Sequence, residues 1–279
     1  MRIATWNVNS IRARVDRVAD WLVRQDVDVV AMQEIKCKPN QFPYEAFTEA
    51  GYEIELHGVS QWNGVAFASR LPMTEVTVGF PGMPGFGPEL ADGSLPREAR
   101  ALGITVNDTR LWSLYVPNGR ELTHAHYDYK LRWLAALAEN TREWLAANPE
   151  TPLALMGDFN VAPLDTDVWD LAAFEGSTHI SPPERAAFQA FVTAGLADVV
   201  RDRVPEGYTY WDYKQLRFPR NEGMRIDFIL GSPAFADLVS NAFIDRGERK
   251  GDAPSDHVPV VVDLDLAAED DDDRMMIFG

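Results

Sequence analysis

Two hydrophobic periods alternate along this chain, and they limit its possible folds more than any other feature. Apolar residues recur at helical spacing in two segments, at Ile11, Val15, Val18 and Leu22 and at Tyr127, Leu131, Leu134, Ala138 and Leu145. Near the end of the chain they alternate with period two instead, at Val258, Val260, Val262, Leu264 and Leu266. The helical spacing predicts amphipathic helices, and the period of two predicts a strand with one buried face. The expected fold class is α/β.

Five further apolar segments predict strands at residues 2–8, 27–33, 111–116, 152–157 and 225–230. No linker or repeat separates them, and 279 residues with 46% hydrophobic content can bury a substantial core. A single domain is therefore expected over residues 1–267. Residues 268–279 are predicted to form an acidic, disordered tail, because the adjacent acids from Glu269 to Asp273 repel one another and bury nothing.

A net charge of −17 argues against a nucleic-acid partner, since phosphate contacts normally come with a basic surface. The tail carries part of this charge, but the rest of the chain is still acidic. An acidic protein can bind DNA when positive side chains and metal ions line one cleft, and its affinity is then modest and sensitive to salt. Composition alone therefore neither indicates nor excludes DNA.

Cysteine usage and hydropathy indicate the compartment. The single cysteine, Cys37, cannot form an internal disulfide, and the first residues lack the apolar region of a secretory signal. No apolar run approaches the length that spans a membrane. These observations predict a cytoplasmic protein with no membrane contact.

Polar side chains stand at the ends of the predicted strands, where chemistry is often placed. They are Asn7, Asn9, Glu34, Asn118, Asp158, Asn160, Asp256 and His257. Asp227 differs because it lies inside an apolar strand, where even a neutral unpaired polar group costs roughly 2 to 7 kcal/mol. It requires a partner, and His257 is the obvious one. Each residue alone could be an ordinary turn former or helix cap, but their conjunction at a few strand ends indicates a catalytic site.

Six blocks carry a resemblance to a known family: WNVNS, QEIKC, YVPNG, GDFNVAP, RIDFIL and SDHVPV, in that order. They resemble the exonuclease III branch of the exonuclease-endonuclease-phosphatase superfamily over the whole chain up to the acidic tail. The resemblance implies a DNase I-like, four-layer α/β/β/α sandwich of two packed mixed sheets. It also implies a monomeric DNA-repair phosphodiesterase that cuts double-stranded DNA at abasic sites, degrades it as a 3′–5′ exodeoxyribonuclease and acts at nicks and blocked 3′ ends.

The resemblance implies a metal centre and a catalytic group. Glu34 would hold Mg²⁺, with Mn²⁺ as a substitute, together with Asp256 and close to Asn7 and Asn9. Because the family often has aspartate where this chain has Asn9, the number of metal ions stays open. Asp158 would activate the attacking water, and the other catalytic residues would be Tyr115, Asn160, Asp227 and His257.

The resemblance also implies where the DNA is held. Asn118 and Arg120 would bind phosphate. The slot for a flipped sugar without its base would consist of Tyr210, Trp211, Met224 and Ile226. Strand alternation places Tyr210 and Trp211 on opposite faces, so at most one of the two is expected to face the site.

Two other functions are compatible with part of this pattern. One is another enzyme of the superfamily, acting on inositol phosphates, sphingomyelin or RNA tails, because fold alone does not decide the substrate. The other is a catalytically dead regulator that binds nucleic acid. The blocks QEIKC and YVPNG and the WDY segment before GMRIDFIL favour the DNA-repair branch over the first, and retention of all the acidic candidates argues against the second.

Overall fold

Two six-stranded sheets, packed face to face, form the centre of the structure. The computed structural model describes residues 1–266, so residue 267 and the predicted tail lie outside the described range. Its strands are β1 (Arg2–Asn7), β2 (Val29–Gln33), β3 (Glu53–His57), β4 (Val65–Ser69), β5 (Thr74–Val78), β6 (Ala101–Val106), β7 (Thr109–Tyr115), β8 (Leu153–Asp158), β9 (Ala197–Asp198), β10 (Asp227–Gly231), β11 (Val239–Ile244) and β12 (Val260–Leu264). Its α-helices are α1 (Val15–Arg24), α2 (Tyr44–Glu49), α3 (Ala125–Ala147), α4 (Pro182–Ala194) and α5 (Pro233–Leu238).

Both sheets are mixed. The first has the order β11-β12-β1-β2-β4-β3 and the second the order β5-β6-β7-β8-β10-β9. Only β1 with β2 and β7 with β8 pair in parallel among the strands of the described range, and the remaining neighbours are antiparallel. Each sheet therefore contains one central parallel pair.

Alternating side chains of the central strands build three packed layers of core. On β1, Ile3 points between the sheets, whereas Ala4 and Trp6 point outwards. There they belong to a second apolar cluster, which also contains the buried side chains of α1. The outer face of the second sheet packs on α3 and α4, for example through Trp133 and Phe188. The result is the predicted four-layer α/β/β/α sandwich, which is confirmed. No helix among residues 1–266 is both long and apolar enough to cross a bilayer.

The strand directions gather the polar strand ends at one edge of the sandwich. β1, β2, β7 and β8 all end there, and β10 and β12 begin there because they run antiparallel to β8 and β1. Asp158 consequently lies opposite both Tyr115 and Asp227 in the second sheet. His257 comes just before β12, and the Ser255 hydroxyl fixes this segment by donating to the carbonyl of Asn7 at 2.7 Å.

Candidate active site

Asn7 joins the two sheets at the centre of this edge. Its Nδ2 donates to Glu34 Oε1 at 2.9 Å and to Asp158 Oδ2 at 3.0 Å. Glu34 follows β2 in the first sheet and Asp158 ends β8 in the second, so one amide links two carboxylates from different layers. Asn7 is fully buried and Asp158 is 1% exposed, which holds both in a fixed orientation.

A buried histidine lies between two aspartates. The Nδ1 of His257 donates to Asp227 Oδ2 at 2.8 Å, and its Nε2 lies 3.9 Å from Asp158 Oδ2. The Asp227 backbone N–H in turn donates to the Thr209 hydroxyl at 3.1 Å. The pairing of Asp227 with His257 is as expected, and it leaves Nε2 free to face Asp158.

Burial and charge shift these pKa values in opposite senses. Burial alone would lower the pKa of His257, but Asp227, Asp158 and Asp256 outweigh it and raise this pKa to about 10. Burial raises the pKa of Asp158 to about 7, helped by Asp227 and Glu34 and opposed by the positive charge of His257. At a pH between these two pKa values, His257 is an imidazolium ion and the neighbouring Asp158 is an ionised carboxylate.

The second wall of the site consists of asparagines and a tyrosine. The Asn160 backbone N–H donates to Asp158 Oδ1 at 2.9 Å, and the Asn118 Nδ2 donates to Asn160 Oδ1 at 3.1 Å. Tyr115 ends β7 with its ring beneath the guanidinium of Arg100, 4.6 Å from the ring centre. Burial, together with Glu34, raises the pKa of Tyr115 well above its ordinary value, so its phenol stays protonated.

The opposite wall contains the predicted metal residues and a lysine. Lys36 Nζ lies 2.7 Å from Glu34 Oε2 and donates to Asn9 Oδ1 at 2.5 Å. Asn9 Nδ2 donates to Asp256 Oδ1 at 2.9 Å. The structure thus brings together all four predicted metal residues, although Asp256 approaches Asn9 and not Glu34.

The donor chemistry of this edge fits a divalent cation. Ligand atoms of Glu34, Asp158 and His257 lie within 4.8 Å of one another. The imidazole is a poor ligand because Asp227 holds it in its charged form, so a carboxylate such as that of Glu34 is the better donor. Carboxylate oxygens are what Mg²⁺ prefers, and the Lys36 ammonium already contacts Glu34 Oε2.

A cavity of about 200 Å³ opens onto the candidate catalytic residues. Its walls include Tyr210, Met224 and Ile226, and the Tyr210 ring lies 4.9 Å from the His257 ring. A neighbouring cavity of about 430 Å³ shares Asn118, His179, Tyr210 and Met224 with it and contains the exposed Arg120. Thus Arg120 lies beside the catalytic cavity and not in it.

Trp211 corrects the predicted slot. The side chain is fully buried, and it packs on Tyr208 and Phe218 away from the catalytic cavity. Its backbone N–H donates to the carbonyl of Asp256 at 2.9 Å, which fixes the neighbouring Tyr210 in the site. The two aromatics do lie on opposite faces, and Tyr210 is the one that faces the cavity.

Sequence reasoning missed three residues at this site. His179 lines both cavities, and burial, with the charge of Lys130, lowers its pKa to about 4. Lys36 contacts Glu34, and Lys130 lies behind the asparagines. For Lys36 a signal existed, because it is two residues from Glu34. His179 lies in a loop and Lys130 in a helix, where no periodic pattern marks either.

Comparison with known proteins identifies the family to which this chain belongs. Residues 4–257 match the endonuclease/exonuclease/phosphatase family. Exodeoxyribonuclease III of Haemophilus influenzae is 28% identical, covering 93% of this chain and 98% of that protein. Two solved structures each cover 95% of this chain and match over their whole length: the 3′ phosphatase NExo from Neisseria bound to product DNA hairpin (TM-score 0.87, 35% identity) and an AP endonuclease from Archaeoglobus fulgidus (TM-score 0.86, 30% identity). The chain therefore belongs to the endonuclease/exonuclease/phosphatase family, and within it to the exonuclease III group of nucleases.

Proposed function

We propose that the protein is a Mg²⁺-dependent DNA-repair phosphodiesterase that cuts double-stranded DNA at abasic sites and trims nicked or blocked 3′ ends. The observation that carries this proposal is the buried Asp158 carboxylate, 3.9 Å from a cationic His257 at the mouth of a small, partly apolar cavity. The names of the relatives support the same substrate class, since they include an exodeoxyribonuclease, an AP endonuclease and a 3′ phosphatase bound to DNA.

The chemistry is hydrolysis of a phosphodiester by water. Asp158 takes a proton from the attacking water, whose oxygen bonds to phosphorus while the bond to the leaving oxygen breaks. Two neighbours fix the Asp158 carboxylate: the Asn160 backbone N–H and the Asn7 amide. Tyr115, protonated because its pKa is raised, would donate a hydrogen bond to the leaving oxygen, which takes up a proton from water as it departs.

His257 and Asn118 bind the phosphate. The imidazolium Nε2 faces the cavity while Nδ1 is held by Asp227, so a fixed positive charge meets the charge that develops on phosphorus-bound oxygen. Glu34 would hold Mg²⁺ with Asp256, Asn7 and Asn9 close by, and the ion would supply further charge stabilisation there. DNA would also contact Arg120 and Arg217, which line the neighbouring cavity of this acidic protein.

A panel of substrates tests the proposal. The protein would be incubated with an abasic duplex, an intact blunt duplex and a duplex ending in a 3′-phosphate, each with Mg²⁺ or with EDTA. We expect nicking of the abasic strand and release of the 3′ group in Mg²⁺ only. Inositol phosphates and RNA tails are the matched alternatives, and faster turnover of either would contradict the proposal.

The apolar wall should set the preference for abasic sites. Met224 pairs with Tyr210 and is 7% exposed, so Met224→Ala enlarges the cavity beside the phosphate. A normal nucleotide, whose unstacking costs a few kcal/mol, should then enter more easily. We expect the ratio of kcat/KM for abasic over intact duplex to fall more than the abasic rate does. Met83→Ala, equally buried but in the outer core, serves as control and should leave the ratio unchanged.

The pH dependence of cleavage should have two limbs. The rate rises up to about pH 7 as Asp158 loses its proton and falls above about pH 10 as His257 loses its proton. Because the charge of Asp227 raises both pKa values, Asp227→Asn should move both limbs to lower pH. The profile of kcat/KM for an abasic duplex measures this. Limbs that stay in place in the variant would contradict the assignment of these groups.

A further inference from the structure

Lys130 is a lysine of α3 whose charge is buried behind the catalytic residues. Its Nζ donates to the carbonyl of Asn160 at 2.6 Å, to the carbonyl of Asn118 at 3.2 Å and to the carboxylate of Glu184. The side chains of Lys130 and Glu184 are both 0% exposed. A charged ammonium group has three N–H protons, and these three acceptors match them one for one. The environment of Lys130 therefore requires the charged form.

Glu184 ties a third segment to the same lysine. Its carboxylate accepts from the backbone N–H of His179 at 3.0 Å and from the hydroxyl of Ser181 at 2.6 Å, the residue that caps α4. Lys130 and Glu184 together therefore hold the loop of Asn118, the loop of Asn160 and the loop that carries His179.

Stability alone is a weak reason for such a pair. Taking two charges out of water costs several kcal/mol per ion, and apolar residues of similar volume often replace a buried ion pair without loss of stability. The groups that this pair contacts are not random, since two of them are backbone carbonyls of residues in the catalytic wall. This selectivity indicates that the pair orients those loops.

The path from Lys130 to the reacting carboxylate is short. Asn160 has a positive φ of 51°, and its backbone N–H and Nδ2 donate to the two oxygens of Asp158 at 2.9 and 3.2 Å. Asn118 donates to Asn160 Oδ1. Asn160 is the strained residue, and its backbone N–H and side-chain amide orient the Asp158 carboxylate. A hydrogen bond that fixes the Asn160 carbonyl fixes the adjoining peptide plane and so helps to hold Asp158 in place.

We propose that Lys130, paired with Glu184, is a positioning residue that orients Asp158 and the phosphate-binding asparagines. As far as rates are concerned, the inference rests on the function proposed above. Hydrogen exchange of the backbone tests the positioning without any substrate.

The experiment compares Lys130→Met with the double variant Lys130→Met/Glu184→Met, in which no charge is left unpaired. Amide exchange at Gly119 and Asn160 should accelerate at least tenfold in both variants. The kcat for an abasic duplex should fall by about 10- to 100-fold, as expected for a misplaced catalytic group, with KM little changed. The double variant should recover part of the Tm that the single variant loses, but not the rate.

Arg2→Met is the matched control for lost stability. It removes the Arg2–Asp263 ion pair at the opposite end of β1, so it should lower Tm and leave kcat unchanged. Recovery of wild-type kcat in the double variant, or unchanged exchange at Gly119 and Asn160, would overturn the proposal and leave the pair a purely structural role. If the wild-type protein cleaves no DNA, the proposed function fails, and the exchange data alone decide the positioning.

Discussion

Replacing Asp158 by Asn is expected to abolish cleavage while leaving the fold intact. A general base contributes typically 10² to 10⁴ in rate, so kcat should fall by at least about 100-fold. The amide cannot accept the proton of the attacking water. Burial raises the pKa of Asp158, which means that the folded protein disfavours its charge, and a neutral amide of the same shape removes this penalty above pH 7.

The measurement is single-turnover cleavage of an abasic duplex, together with thermal unfolding at pH 8. Asp167→Asn is the matched control, because Asp167 is also 1% exposed but pairs with Arg201 away from the catalytic cavity. That variant should lose Tm and retain its rate. Turnover near wild-type in Asp158→Asn would show that another group accepts the proton.

The Asp227–His257 pair is expected to behave as one unit. Removing one preorganised charge-stabilising group costs roughly 10² to 10³ in kcat, so Asp227→Ala and His257→Ala should each lose about that much. The double variant should lose little more than the worse single variant, because Asp227 acts only through the imidazole that it holds at 2.8 Å.

If Asp227 and His257 acted independently, their two losses of kcat would multiply in the double variant. That outcome would show that the two residues do not act as one unit. Thermal unfolding provides a second measurement on the same set of variants. Asp227→Ala should also lower Tm, since it leaves a buried imidazole without its partner. Asp227→Asn keeps an acceptor without the charge and should fall between wild type and Asp227→Ala in rate.

The central strands could be predicted from sequence because both of their faces are buried or alternate regularly. The predicted segments do not include β3 to β6, β9 or β11. For β3 and β5 the reason is that most of their side chains are partly or fully exposed and carry no apolar period. The polar strand ends were predictable for a related reason, as an Asp158 or a Glu34 interrupts an apolar run. The order of strands in each sheet could not be predicted, because spacing alone does not say which strands pair.

The remaining parts of the site escaped prediction for physical reasons. Lys130 stands one turn from Tyr127 on a helix, and a lysine there is ordinarily solvated; only the packing of α4 with Glu184 buries it. His179 belongs to a loop with no repeating pattern. Neighbouring aromatics such as Tyr210 and Trp211 have opposite orientations, and the sequence does not reveal which one faces the cavity.

The bridge that Asn7 makes between the sheets has a consequence for how the protein is synthesised. Asn7 and Glu34 are made before Asp158, which comes from the other sheet, and His257 is made after all three. A growing chain that has not yet reached residue 257 therefore has no complete set of these side chains. The site can form only after the segment before β12 has been made and both sheets have packed together.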